Sequence, residues 1–185
     1  MMETLHPRAR RDPFGSRINR TQSRILALGV PWVSVMLGSL APWLPVIAPA
    51  PVLPPLGFMM LLAWRLLRPG LLPLWAGVPL GLFDDLYSGQ PMGSGVLLFS
   101  LMLIGIELIE IRLPWRGFLL DWVTASLVLL IYLSASALLS GAQLTVVQLT
   151  VIVPQLLLSI VLLPLIARLV AVLDRLRLTR VRRLD

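Results

Sequence analysis

Apolar residues run from Ile25 to Ile166 with few interruptions, and short links rich in proline, glycine or arginine divide them. The apolar stretches are approximately Ile25 to Ile47, Val52 to Leu67, Leu71 to Tyr87, Gly95 to Ile111, Gly117 to Ser140 and Leu144 to Ile166. Their length predicts helices crossing a bilayer, whose hydrocarbon core of about 30 Å needs roughly 20 helical residues and at least about 17. The second and third stretches are marginal by that measure, which suits short or tilted helices. The pattern therefore predicts an all-α integral membrane protein, a bundle of six transmembrane helices with five as the alternative count. Ala48-Pro49-Ala50 resembles a signal cleavage site. Pro51 would follow the cut, however, and the apolar stretch is longer than a signal core, so the first stretch is expected to remain a membrane anchor. Pro73, Pro79, Pro154 and Pro164 fall inside apolar stretches, so kinked helices are expected.

Composition agrees with a membrane chain. Apolar residues make up 57% and charged residues 14%, against about 25% charged in soluble domains. Mean hydropathy is +0.88. All 16 basic residues are arginine, and the net charge is +7. In a six-helix arrangement every arginine falls on one side: the head, the links holding Arg65 with Arg68 and Arg112 with Arg116, and the tail. The opposite links carry none. Basic residues are retained on the cytoplasmic side of short links, so both termini are expected in the cytoplasm. Trp43 near the outer end, and Trp64, Trp75, Trp115 and Trp122 near inner ends, suit interfacial anchors, whereas Trp32 suits helix packing.

Three segments follow: a basic cytoplasmic arm, 1–24; a six-helix transmembrane domain, 25–166; and a basic amphipathic cytoplasmic tail, 167–185. In the tail, Leu169, Leu173 and Leu176 keep helical spacing, with Arg168 and Arg175 on another face. Two readings stand for it, a helix lying along an anionic surface and plain retention by basic charge. No internal repeat is present.

The inventory of reactive residues excludes most chemistry. There is no cysteine, no lysine, and a single histidine, His6, outside the apolar stretches. Thiolate metal sites, Schiff-base lysines, phosphate-loop lysines and an intramembrane serine–histidine pair are all excluded. No cofactor site, metal cluster or nucleic-acid partner is expected. Five acidic residues lie within apolar stretches, where ionisable groups are costly and mark functional candidates. Glu107 and Glu110 share a face near an inner helix end; Glu110 suits an arginine partner, and Glu107 suits packing or partner binding. Asp121 near an inner helix start suits a cap or an arginine partner. Asp84 and Asp85 lie near the outer face, most of a bilayer from Asp121, so no aspartyl-protease pair is expected.

Gly81, Asp85 and Gly89 recur every four residues, a small-residue face that would let a second helix approach the carboxylate. Pro91 and Gly93 then make a tight turn. The alternative is that Asp84 and Asp85 reach interfacial water. This run, Gly81-x-x-x-Asp85-x-x-x-Gly89-x-Pro91-x-Gly93, resembles the rod shape-determining protein MreD family, with Asp85 rather than Asp84 as the matching position. Size, predicted helix count and basic termini extend the resemblance over most of the chain. The doubled aspartate, the arginine-rich head and the abundant prolines depart from it.

The resemblance implies a non-enzymatic, multi-pass subunit of the bacterial inner membrane within the cell-elongation machinery. It would bind an MreC-like periplasmic protein and help couple MreB filaments to a RodA-type glycosyltransferase and a penicillin-binding transpeptidase. Gly81, Asp84, Asp85, Gly89, Pro91, Gly93 and Glu107 are the candidate partner or helix-packing residues. The rival reading is a substrate-binding membrane subunit of an energy-coupling-factor vitamin transporter. It needs an outward polar pocket and a small-residue docking face, for which Ser34 and Gly38 are the candidates.

Overall fold

The computed structural model describes residues 24–43, 53–112, 117–141 and 146–178. All but one residue of the predicted basic arm, and the tail beyond Leu178, lie outside them. The described residues form six helices: α1 (Arg24–Ser39), α2 (Leu56–Leu67), α3 (Gly77–Ser88), α4 (Ser94–Arg112), α5 (Phe118–Leu139) and α6 (Val146–Arg177). Single 3-10 turns follow α1 at Ala41–Trp43 and precede α3 at Leu74–Ala76.

Three helical segments, Ser94–Arg112, Phe118–Leu139 and Ile152–Arg177, are long and apolar enough to cross a membrane. Their outward faces carry exposed leucine, isoleucine and valine, such as Leu97, Leu101 and Leu108 on α4 and Ile131 on α5. Water would penalise such a surface, while lipid does not.

α2 is different because it sits inside the bundle. Every residue from Gly57 to Arg65 is buried, so the helix is covered on all sides rather than along one stripe. α1, α4, α5 and α6 all pack against it. Its 12 residues span only about 18 Å, less than the hydrocarbon core of about 30 Å. Phe58 of α2 stacks on Tyr132 of α5 with ring centroids 3.8 Å apart and meets Phe99 of α4 edge-on at 5.5 Å. Since lipid tails are as apolar as these side chains, such close packing, rather than expulsion from water, holds the helices together.

Small residues set the tightest approach to α2. A Cβ on Gly38 of α1 would lie 2.9 Å from the Gly57 backbone nitrogen, and one on Gly57 would lie 2.9 Å from that of Ser39. Ser34, one turn before Gly38, is buried and accepts a 2.8 Å hydrogen bond from the Trp64 indole. The Ser34 and Gly38 face is therefore used inside the bundle, against α2.

Several expectations change. Trp64 is fully buried in the core rather than anchoring an interface, because the Ser34 hydroxyl satisfies its N–H. Trp32 does pack, against Trp75 at 5.5 Å. Pro73 precedes the 3-10 turn and Pro79 lies in the first turn of α3, where a missing N–H costs no helical bond. Pro154 and Pro164 do lie inside α6, and Pro31 lies inside α1. Finally, α6 continues past Ile166 without a break to Arg177, and Val170, Asp174 and Arg177 are buried. One face of that length packs against the bundle, while Leu169, Val172 and Leu176 on the other stay exposed.

Candidate functional site

The run from Gly77 to Val96 folds as a tight hairpin of α3 and α4. α3 ends where Gly89 takes the left-handed conformation at φ 71°, and Gly93 takes φ 95° just before α4. A side chain is strained at both positions, which accounts for two of the glycines in the motif. Between them the Pro91 carbonyl accepts the Ser94 amide at 3.0 Å and its hydroxyl at 2.7 Å.

Asp85, one turn before the end of α3, closes the hairpin. Its Oδ2 accepts the Gly93 amide at 2.8 Å, and its Oδ1 accepts the Gly95 amide at 2.6 Å. The first amides of a helix have no partner within it, and a negative charge there also meets the positive end of the helix dipole. The carboxylate of one helix thus caps the next. The capping geometry demands that the backbones nearly touch: a Cβ on Gly81 would collide with the Gly95 carbonyl oxygen. A Cβ on Gly95 would lie 2.7 Å from Asp85 Oδ1, and one on Gly77 would lie 2.7 Å from the Ser100 Cα.

The close-packed face is consequently Gly77, Gly81 and Asp85. Gly77 continues the spacing of four by one step toward the start of α3, a signal present in the sequence and missed there. Gly89 stands outside this face, with nothing near its Cβ direction, and serves the turn alone.

Asp84 points elsewhere, as a step of about 100° around a helix requires. It is buried, and it lines a cavity of about 480 Å³ between the ends of α1, α3 and α5 and the beginnings of α2 and α6. Ser39, Ser88, Gln90, Tyr132 and Gln155 contribute polar groups to the wall.

The opposite end of the bundle holds a network of charges. Arg65 of α2 is 4% exposed and pairs with Glu110 at 2.9 Å and Glu107 at 3.3 Å, both on α4. Asp174 of α6 accepts from Arg177 at 2.7 Å and pairs with Arg68 at 2.8 Å. Arg177 also reaches the Ala27 carbonyl of α1 at 3.1 Å and lies over the Trp64 ring. Four helices are thus tied by ions at one end. Glu110 does have an arginine partner in Arg65, 45 residues away in sequence. Glu107, the candidate site residue here, keeps a side chain 41% exposed. Asp121 lies in the first turn of α5, as its placement near a helix start predicted.

No curated protein and no solved structure matches the chain. The family model of the rod shape-determining protein MreD matches residues 23–176, a length that includes the whole α3–α4 hairpin and all of the helices but the last residue of α6. The chain belongs to the MreD family of rod shape-determining membrane proteins.

Proposed function

We propose that this protein is a non-enzymatic, inner-membrane subunit of the cell-elongation machinery. In this reading it binds an MreC-type periplasmic protein and helps couple MreB filaments to the glycosyltransferase and transpeptidase that build peptidoglycan. The observation that carries the reading is the family match across residues 23–176. The rival vitamin-transporter reading loses its docking face, because Ser34 and Gly38 are engaged by α2.

The proposal includes an orientation, with six spans and both termini cytoplasmic. Its support is that the α3–α4 turn lies at the end of the bundle without arginine, while Arg65, Arg68 and Arg177 gather at the other. The turn then faces the periplasm. Pro91, Met92 and Gly93 are exposed there, and the Asp85 cap holds them in one conformation, so a periplasmic partner meets a preorganised surface. Glu107 and Arg68, half-exposed at the other end, are the residues of the charge network within reach of a cytoplasmic or membrane partner.

The chain has no cysteine, so single replacements report orientation cleanly. Met92→Cys, at an exposed position, should react with a membrane-impermeant maleimide added outside intact spheroplasts. Phe118→Cys, exposed at the other end of the bundle, should react only after permeabilisation. The reverse pattern would reject the orientation.

Function itself is tested by depletion in the host with crosslinking of the retained protein. Cells should round up, and an MreC-like protein should appear in the crosslinked fraction. Unchanged rod shape after depletion would refute the elongation role.

A further inference from the structure

The cavity beside Asp84 has no part in the hairpin cap or in the charge network at the opposite end. Its volume of about 480 Å³ lies within the range of about 300–1,000 Å³ that small-ligand sites occupy. It opens at the end of the bundle that lacks arginine. Its only carboxylate, Asp84, is 6% exposed.

Buried carboxylates within a membrane bundle pair with a cation or another polar group. This one has no cation to draw on. The sequence holds no arginine or lysine from residue 25 to 64, from 69 to 111 or from 117 to 167, and every residue lining the cavity comes from those lengths. The neighbouring Asp85 is occupied by the α4 amides and adds negative charge. The Ser39 hydroxyl faces Asp84 and offers it a neutral donor but no charge, while the buried Ser88 hydroxyl at the same wall has no partner among the described residues. Unpaired buried polar groups of this kind need an explanation, and a missing ligand supplies one. Leu133, Ile152 and the ring of Tyr132 form the apolar part of the wall, suited to an alkyl body.

We propose that this cavity binds an organic cation, an alkylammonium or alkylguanidinium group whose charge pairs with Asp84 and whose body lies against Tyr132, Leu133 and Ile152. Two sources offer that chemistry: a freely diffusing amine, and a lysine or arginine side chain of a protein partner. The site stands on the cavity and its charge balance, independently of the elongation role.

The test uses full-length protein in nanodiscs of phosphatidylglycerol, which supplies no ammonium headgroup. Thermal unfolding is followed by tryptophan fluorescence while n-butylammonium or n-butylguanidinium is titrated. A saturable rise in Tm with either cation is expected, and none with n-butanol or butyrate. Asp84→Asn should weaken the apparent affinity by about tenfold or more, since a charge-assisted contact is replaced by a neutral one. Ala137→Phe, which fills the cavity and keeps the carboxylate, should abolish the response. Equal stabilisation by n-butanol, no saturable shift with either cation, or full binding in both variants would overturn the proposal. The titration is then repeated on the complex recovered from native membranes. Loss of probe binding there assigns the site to a partner's basic side chain, and retained binding assigns it to a diffusing amine.

Discussion

Asp85→Ala is expected to destabilise the folded protein by about 2–4 kcal/mol. It removes the acceptor of two short hydrogen bonds from buried or part-buried α4 amides, at 2.6 and 2.8 Å. The buried Gly95 amide left without a partner costs about 1–3 kcal/mol, the exposed Gly93 amide costs less because water can replace the carboxylate, and loss of the favourable charge at the helix start adds a few tenths to about 1 kcal/mol. Gly81→Leu should be at least as damaging, because the nearest atom to its Cβ is a backbone carbonyl that no rotamer change can move. Asp84→Asn, one position away, keeps the shape and touches none of those bonds, so it should leave the fold intact. The measurement is thermal unfolding in mild detergent together with the level of protein in the membrane. Asp85→Ala with wild-type stability and a lost partner would show instead that the carboxylate contacts the partner directly.

The second large effect is expected at the other end. Glu110→Leu strips Arg65 of its shorter ion pair and leaves a guanidinium that is only 4% exposed. Its Nε already has no partner among the described residues. Breaking a buried pair by removing one member costs about 3–5 kcal/mol, and the remaining 3.3 Å contact with Glu107 brings the expected value to the lower end, about 3 kcal/mol. Glu107→Leu should cost under about 1 kcal/mol, because that carboxylate is 41% exposed and solvent screens the pair. The double replacement Arg65→Met with Glu110→Leu should recover most of the loss, since no buried charge is then stranded. A double-mutant cycle read by thermal unfolding decides it. Glu110→Leu no worse than Glu107→Leu would mean that the arginine finds water.

How much of this was legible beforehand depends on the range of the interaction. The α3–α4 hairpin was largely legible because its determinants are close in the chain. Gly81 and Asp85 at a spacing of four define a face, and Gly89, Pro91 and Gly93 define the turn. What the spacing concealed was the division of labour, for Gly89 at φ 71° has already left the helix and cannot belong to the face. The charge network was much less legible. Arg65 with Glu110 and Arg68 with Asp174 join residues 45 and 106 apart. Positive-inside reasoning reads arginines as topology signals and says nothing of their partners. The packed face of the α6 extension was hidden for the same reason. Leu169, Leu173 and Leu176 fit an interfacial helix in isolation, whereas Asp174 and Arg177 meet their partners on α2 and α1 only in the bundle.

The amino-acid order by itself determined that this is a helical membrane chain, that its arginines segregate from one set of links, and that Gly81 and Asp85 lie on a common helix face. Hydropathy, charge and helical period are properties of single segments, so no neighbour is needed to read them. Only the tertiary structure decided what two adjacent aspartates do. The helical step of about 100° sends Asp85 toward the amides of α4 and Asp84 into a cavity walled by α1, α2, α5 and α6. It likewise decided that the 12-residue α2 lies at the centre of the bundle, because burial on every side is a property of the surrounding helices.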